Sequence, residues 1–229
     1  MMHLLSTGIR GLDVMLGGGI PRGHMVAVVG QYGTGKTTLG LHFIYEGLKN
    51  GERGVIISFD EDEESVIQTA ESFGMHFSDF QDQIVVMRLE AEDVKRSLER
   101  VESEVKMLVD DIMPSRMLID SISVLETLYD DAGRYRMLAR VRSLVKSSGV
   151  TAILTSECDR TNPFSSKYGI IEYVSDGLIS LRIIRESELE EAILAIEVVK
   201  MRRMNHSRRP RPYSITSSGI EVFEEAEIM

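Results

Sequence analysis

Residues 30–37 form a glycine-rich segment that ends in lysine and threonine, with the sequence GQYGTGKT. The segment fits the pattern G-x-x-x-x-G-K-[ST], in which glycines let the backbone curl and point successive N–H groups at a phosphate. In that pattern Lys36 bridges the β- and γ-phosphates of a nucleotide, and the hydroxyl of Thr37 coordinates magnesium. We therefore predict a nucleoside triphosphate site here. Its other expected contacts are Gly33, Thr34, Gly35 and Thr38.

Three acidic residues follow predicted strands. Asp120 ends the apolar run 116–120 and is the expected second anchor of the magnesium ion, although a strand-end aspartate can also cap the next helix. Asp60 and Glu61 come first after the apolar run 54–59, at the carboxyl edge where α/β sheets bind ligands. We expect Glu61 to be the general base that prepares a water, with Asp60 as its neighbour. The alternative is an acidic helix start that favours the helix dipole.

The elements that must position these residues alternate along the chain. Strands are predicted at 25–29, 54–59, 84–89, 116–120 and 150–155, and helices at 36–49, 63–72, 92–109 and 134–147. This alternation predicts an α/β fold with a mainly parallel sheet covered by helices. Further strands at 177–184, 192–200, 212–216 and 220–223 follow one another and are expected to extend the sheet as an antiparallel set. We expect one domain over residues 1–229.

The composition indicates a globular protein and excludes disulfide-stabilised and membrane-spanning classes. The 229 residues are 43% hydrophobic and 27% charged, which is typical of a globular chain, and the net charge of −10 disfavours wholesale binding of nucleic acid. The lone cysteine, Cys158, excludes a disulfide scaffold and is interpreted as structural. No apolar stretch approaches the roughly 20 residues that span a bilayer, and the N-terminus lacks the pattern of a secretory signal. We expect a cytoplasmic protein that does not bind membranes.

An ordered set of short motifs extends over nearly the whole chain and, together with the phosphate loop, resembles the KaiC branch of the RecA-type ATPases. The motifs are STGIRGLD at 6–13, LGGGIP at 16–21, FDE at 59–61, SFG at 72–74, IDS at 119–121, LTSE at 154–157, EYVSDG at 172–177 and KMR at 200–202. The phosphate loop alone is shared by a vast superfamily, whereas the ordered set is specific.

This resemblance implies a RecA-like fold and a homo-hexameric ring that binds ATP or ADP with Mg²⁺ between neighbouring subunits. The family carries a Glu-Glu pair where this chain has Asp60 and Glu61, and the shorter first side chain implies slow hydrolysis. Ser72 falls at the position that contacts the adenine side of the nucleotide. Lys200 and Arg202 match a pair that reaches the γ-phosphate from the adjacent subunit, and strand alternation places both on one face. Further contacts implied from that neighbour are Met201, His206, Thr216 and Ser217.

The run at residues 200–211 contains six lysines and arginines and permits two interpretations. It could form a nucleic-acid patch, because clustered cations neutralise phosphates. Alternatively, Lys200 and Arg202 serve the nucleotide, while Arg208, Arg209 and Arg211 line a solvated loop. We favour the second interpretation, since no aromatic residue is interleaved for base stacking.

The function expected from the sequence is magnesium-dependent ATP hydrolysis that drives a regulatory or conformational switch toward an unidentified protein partner. One alternative is a nucleotide-switched scaffold with little turnover. Another is a RadA-like DNA-repair paralogue, although residues 1–29 leave little room for an added DNA-binding domain. The best-known relative has two such domains in tandem, and its phospho-acceptor pair corresponds to Glu172 and Tyr173 here, so we expect no self-phosphorylation at that place.

Overall fold

The computed structural model describes residues 3–185 and 191–226. The strands are β1 (Leu4–Leu5), β2 (Ile20–Pro21), β3 (Met25–Gly30), β4 (Gly54–Ser58), β5 (Ile84–Arg88), β6 (Arg116–Asp120), β7 (Thr151–Glu157), β8 (Gly177–Ile184), β9 (Ile193–Met201), β10 (Arg211–Thr216) and β11 (Gly219–Val222). The helices are α1 (Arg10–Met15), α2 (Lys36–Lys49), α3 (Glu63–Ser72), α4 (Ala91–Arg96), α5 (Leu98–Ile112), α6 (Ile122–Glu126), α7 (Asp131–Ser148) and α8 (Ile171–Val174).

A nine-stranded sheet in the order β11-β10-β9-β8-β3-β7-β6-β4-β5 forms the centre of the molecule. The strands from β8 to β5 in this order pair in parallel, which follows from the helices that connect them. The strands β8, β9, β10 and β11 pair antiparallel. The predicted mainly parallel sheet with a C-terminal antiparallel extension is thereby confirmed.

Two apolar cores cover the two faces of this sheet. Along β3, Val26 and Val28 face the core under α1, α2 and α3, while Met25, Ala27 and Val29 face the core under α4 to α8. This alternation makes β3 apolar on both sides, as expected for a central parallel strand. None of the helices in the described ranges is long and apolar enough to cross a membrane.

The prediction of one continuous helix at 92–109 is wrong, because the structure has two helices there, α4 and α5. The backbone leaves the helical region at Ser97, with φ −149° and ψ 72°, and serine favours helix ends over helix interiors. The apolar stripe itself is retained, since Val94 and Val105 are buried and Leu98 and Val101 pack against the same core. The stripe predicted the buried face correctly but could not locate the break.

Several short elements were not predicted. The antiparallel pair β1–β2 and the helices α1, α6 and α8 have two to six residues each, too few to produce a periodic pattern. Helix α7 also begins earlier than predicted, because the Asp130 carboxylate accepts the Gly133 N–H at 2.7 Å and caps the helix. These elements add to the predicted architecture without changing it.

Candidate functional site

Four adjacent parallel strands end at one edge of the sheet, which we call the carboxyl edge. In sheet order their last residues are Gly30 of β3, Glu157 of β7, Asp120 of β6 and Ser58 of β4. The register confirms that they end together, since Gly30 pairs with Glu157 and Ser58 pairs with Asp120. Ligands of open α/β sheets bind beyond this edge.

The phosphate loop leaves the carboxyl edge and connects β3 to α2. Gly33 and Gly35 have φ values of 74° and 79°, in the left-handed region that favours glycine. A Cβ built on Gly33 would have no atom within 4 Å, so the space over the loop is open to a ligand. Helix α2 begins at Lys36 and runs for 14 residues, which directs its positive N-terminal dipole at the same space.

Lys36 folds back over the loop. Its ammonium donates to the Gln31 carbonyl at 2.8 Å, and the Thr34 hydroxyl donates to the same carbonyl at 2.7 Å. Burial lowers the pKa of Lys36, although the charges of Asp120 and Glu157 act in the opposite direction. The ammonium is therefore held beside the loop, where a phosphate oxygen could replace the carbonyl as its partner.

Asp120 is held through both of its carboxylate oxygens. The Thr37 hydroxyl donates to Oδ2 at 2.6 Å, and the Thr155 hydroxyl donates to Oδ1. Hydroxyl and carboxylate oxygens are the ligands that Mg²⁺ prefers. Within residues 3–185 and 191–226 there is no group of three or more His, Cys, Asp or Glu side chains that could cage a metal alone. The site fits a magnesium ion that takes its remaining ligands from phosphates and water.

Asp60 and Glu61 lie in the exposed turn that follows β4. The Glu61 N–H donates to the Ser58 hydroxyl at 2.9 Å, which ties the turn to the strand end. Partial burial of the carboxyl groups, followed by the negative charge of Asp120, raises the pKa of both. A cation at Asp120 would relieve this repulsion. The next residue, Asp62, accepts the Ser65 N–H at 2.9 Å and caps α3.

Glu157 is a residue that the sequence analysis did not assign to the site. It ends β7 beside the phosphate loop, where its charge acts on Lys36, and its carboxylate is 3.0 Å from the Lys167 ammonium. The signal that could have identified it is the same as for Asp120, an acidic residue that ends an apolar strand. It borders a cleft of about 450 Å³ whose other lining residues are Gly30, Gln31, Tyr32, Cys158 and Arg160.

Ser72 is not brought to the loop within one chain. It ends α3, whose ten residues extend over about 15 Å from the carboxyl edge. Its side chain is exposed, and its hydroxyl donates to the Thr69 carbonyl at 2.7 Å. Its contact with the adenine side stays a prediction.

Lys200 and Arg202 lie at the opposite edge of the sheet, which we call the amino edge. In the register, Lys200 pairs with Leu178, which pairs with Ala27, so Lys200 lies three residues, or roughly 10 Å of strand, from the end of β3, and Arg202 lies two residues farther away. Their side chains bind carbonyls at the end of α8. The Lys200 ammonium donates to the carbonyls of Glu172 and Ser175, and Arg202 donates to that of Tyr173 at 3.1 Å.

Two other expected contact residues lie near this pair. The Met201 side chain is buried against the core, because strand alternation turns it away from the face of Lys200 and Arg202. Only its backbone is therefore available to a ligand. His206 is half-buried in the loop that follows β9, with Nδ1 2.9 Å from the Ser207 carbonyl.

Thr216 and Ser217 lie at the carboxyl edge, at the turn between β10 and β11. This hairpin packs on the chain's own phosphate loop, because the Ile215 side chain lies against Gly35 and the Tyr213 phenol donates to the Thr34 carbonyl at 2.6 Å. The Ile220 N–H also donates to Nε2 of His42 on α2, at 3.0 Å. The structure therefore separates the residues expected from a neighbour into two groups at opposite edges.

The remainder of the basic run leads from β9 into β10. Arg208 and Arg209 are exposed in this loop, whereas Arg211, which was expected in the loop, is the first residue of β10 and donates to the Ala226 carbonyl at 2.9 Å. The preference for a solvated loop over a nucleic-acid patch stays a prediction.

Comparisons with known proteins agree with this geometry. A family model described as "ATPase: KaiC" matches residues 5–227. The circadian clock oscillator protein KaiC of Parathermosynechococcus lividus is 32% identical over 95% of the chain, and the circadian clock protein KaiC2 of Synechocystis sp. is 33% identical over 94%. The crystal structure of a KaiC-like protein from Pyrococcus horikoshii OT3 superimposes with a TM-score of 0.85 at 29% identity, covering 97% of this chain and all of that one.

The chain spans less than half the length of the curated relatives, 42% of the first protein and 39% of the second. The match to the archaeal structure, by contrast, covers nearly all of this chain and the whole of the other. By the extent of the family model, the chain belongs to the KaiC ATPase family.

Proposed function

We propose that this protein is a magnesium-dependent ATPase whose carboxyl edge binds ATP and hydrolyses it slowly. One observation carries the proposal: the Thr37 hydroxyl, at the start of α2, is 2.6 Å from the Asp120 carboxylate beneath an open glycine loop. Membership of an ATPase family supports the choice of ATP and of hydrolysis.

The phosphate loop and the acidic residues Asp60, Glu61 and Asp120 have separate parts in this chemistry. The loop N–H groups and Lys36 bind the β- and γ-phosphates. Thr37 and Asp120 would hold Mg²⁺, which neutralises charge on the phosphates when bound. Glu61 accepts a proton from the attacking water, and its raised pKa brings it closer to neutral pH, where a general base is most effective. Asp60 is one methylene shorter than glutamate, which is our reason for expecting a low rate.

We further propose that a second copy of the chain completes the site in a homo-oligomeric ring of six. Lys200 and Arg202 lie roughly 10 Å and 17 Å from the end of β3 along the strand direction and two strands away from it, and their side chains bind carbonyls at the amino edge, so we assign them to the nucleotide of a neighbouring copy. Two cations delivered by a neighbour would stabilise the charge that develops on the γ-phosphate, as an arginine finger does. Thr216 and Ser217 lie beside the chain's own loop, and we therefore assign them to the nucleotide of their own copy.

The contacts of the two cations suggest how the cycle becomes a conformational switch. In one chain Lys200 and Arg202 bind the carbonyls at the end of α8. If Lys200 and Arg202 bind the γ-phosphate of a neighbouring copy, their hydrogen bonds to those carbonyls would break. The presence or absence of that phosphate would then change the surface around α8. We expect an unidentified protein partner to bind this surface with an affinity that depends on the bound nucleotide.

Measurement of particle mass tests binding and assembly together. We expect a ring with ATP and Mg²⁺, and smaller particles with ATP and EDTA. Lys36→Ala should abolish ATP binding, whereas Lys49→Ala, at the exposed far end of the same helix, should leave it unchanged. Unchanged ATP affinity in Lys36→Ala would refute the site. Tight ATP binding by a particle that stays monomeric would refute only the ring.

A further inference from the structure

Thr155 is a buried polar residue that takes no part in the chemistry proposed for the carboxyl edge, although its hydroxyl contacts Asp120. It lies in β7 after Ala152, Ile153 and Leu154, and its exposure is 0%. Its neighbour across the sheet is Asp120, because β6 and β7 pair in parallel with Ile119 opposite Leu154. A hydroxyl in this apolar strand requires a partner, since an unpaired buried polar group costs free energy.

The partner of this hydroxyl is the carboxylate that ends β6. Thr155 donates to Oδ1 of Asp120, while Thr37 donates to Oδ2. The two donors come from different elements, β7 and α2, so the carboxylate is fixed between the sheet and the helix that follows the phosphate loop. Rotation of the carboxylate would break both hydrogen bonds together.

This arrangement divides the two oxygens of Asp120 between two tasks. Oδ1 accepts the hydroxyl of Thr155, a residue that is fully buried in the central strand β7. Oδ2 faces the Thr37 hydroxyl, the group that the phosphate loop presents to a cation. Partners that orient a metal-binding carboxylate in this way commonly contribute 10–100-fold to metal affinity, roughly.

We propose that Thr155 is a positioning residue of the magnesium site, which holds Asp120 so that Oδ2 faces Thr37 and the cation. The proposal rests on the proposed function, because it assumes that magnesium and ATP bind at the carboxyl edge. It assigns Thr155 no contact with nucleotide or metal. Its effect should therefore be seen in the magnesium dependence of ATP binding and not in ATP binding as such.

The test compares valine with serine at this position in the full chain. Thr155→Val keeps the shape of the side chain and removes the hydroxyl, and Thr155→Ser keeps the hydroxyl. Calorimetric titration of ATP at a series of Mg²⁺ concentrations should give a half-saturating Mg²⁺ concentration about tenfold higher in Thr155→Val. Thr155→Ser should remain close to the parent. In EDTA all of these proteins should bind ATP with the same affinity.

The same strand offers a matched control. Thr151 is equally buried at the other end of β7, and its hydroxyl accepts the Gly23 N–H at 2.9 Å, far from the carboxyl edge. Thr151→Val should lower the stability of the fold without changing the Mg²⁺ requirement. Thr155→Ala provides a second test of the missing hydroxyl if valine prevents folding, and the same rise in Mg²⁺ requirement is expected.

Three outcomes would overturn the proposal. If Thr155→Val requires no more Mg²⁺ than the parent, Thr155 does not position Asp120. Equal weakening of ATP binding in EDTA and in Mg²⁺ would show a structural role for Thr155. If ATP binding by the parent is itself independent of Mg²⁺, the magnesium site fails together with the positioning role, which distinguishes that failure from the first two.

Discussion

The Tyr213 phenol donates a 2.6 Å hydrogen bond to the Thr34 carbonyl and so joins the C-terminal hairpin to the phosphate loop. Tyr213 is buried, and burial raises the pKa of its phenol, so it remains a donor at neutral pH. Removal of the phenol hydroxyl would leave the buried Thr34 carbonyl without a hydrogen-bond donor. The shape of the phosphate loop thus depends on a strand close to the far end of the chain.

We predict that Tyr213→Phe lowers the free energy of unfolding by about 1–2 kcal/mol, since a buried acceptor is left unpaired. ATP binding should weaken by about tenfold if a comparable 1.4 kcal/mol is lost from the loop geometry. Urea denaturation and calorimetry measure the two effects. Tyr135→Phe, at an exposed position on α7, should change neither. ATP binding as tight as in the parent would show that the loop is independent of the hairpin.

Glu61→Gln should reduce ATP turnover by about 10²-fold or more, because amide nitrogen and oxygen cannot accept the proton from water. ATP affinity should be unchanged. Glu64→Gln, in the exposed first turn of α3, is the control and should retain parental turnover. Steady-state phosphate release measures all three proteins. Parental turnover in Glu61→Gln would remove this residue from the mechanism.

The pH dependence of turnover offers a separate test of the same group. Partial burial is the largest cause of the raised pKa of Glu61, and it persists when magnesium offsets the charge of Asp120, so the base form of Glu61 is lost at a higher pH than for an ordinary glutamate. Turnover by the parent should therefore fall as the pH is lowered toward that raised pKa. The residual turnover of Glu61→Gln should not follow this profile. A parental rate that stays constant from neutral pH down to pH values near the ordinary pKa would contradict the assignment.

Mixing two inactive variants tests whether the cations act between copies. Glu61→Gln lacks the general base of its own site, and Arg202→Ala lacks the cation that it would supply to the site of the adjacent copy. A ring made of either variant alone should therefore be nearly inactive. In a random equal mixture about one quarter of the sites combine an intact base with an intact neighbouring cation, and turnover should recover to that extent in a closed ring. Mixtures that stay as inactive as their components would indicate that Arg202 acts within its own chain or not at all.

Glu126 should make stability depend on pH. It is fully buried, and within the described part of the chain neither carboxylate oxygen has a hydrogen-bond partner. Burial, followed by the charge of Glu172, raises its pKa from 4.5 to about 7. Between these values the folded protein keeps a proton that the unfolded chain releases, so stability falls as the pH rises through this interval, by about 3 kcal/mol in total.

The variant Glu126→Gln removes this titration. Relative to the parent, its free energy of unfolding should rise steadily between pH 5 and pH 7 and then level off. Urea denaturation at pH 5, 6, 7 and 8 measures the difference. Glu92→Gln, at an exposed position on α4, should run parallel to the parent throughout. If the free energy of unfolding of Glu126→Gln also changes with pH in parallel with that of the parent, the Glu126 carboxyl group must have a partner that keeps its pKa near the ordinary value.

The sequence predicted what is encoded locally. Lys36 and Thr37 belong to one contiguous motif, and Asp120 ends a strand whose apolar run is visible by itself. Long apolar strands and amphipathic helices follow from periodicity, which is why the sheet and the buried faces of its larger helices were predicted correctly, although the break between α4 and α5 was not. Helices of four to six residues leave no such pattern.

The contacts that sequence reasoning missed join distant segments. Thr155 is 35 residues from Asp120, and Tyr213 is 179 residues from Thr34. Each contact depends on strand order and register, which no local pattern specifies. The separation of Lys200 from the phosphate loop has the same origin, because it follows from β9 running against its neighbour β8.

The strand that carries the phosphate loop is the fifth of nine in the sheet. Amide protons of such a central strand exchange with deuterium only when the molecule opens as a whole, whereas edge strands such as β5 and β11 fray at much lower cost. Deuterium uptake should therefore be slowest in β3 and its neighbour β7. The nucleotide site therefore lies on the strands that unfold last, and it should remain folded when either edge of the sheet unfolds locally.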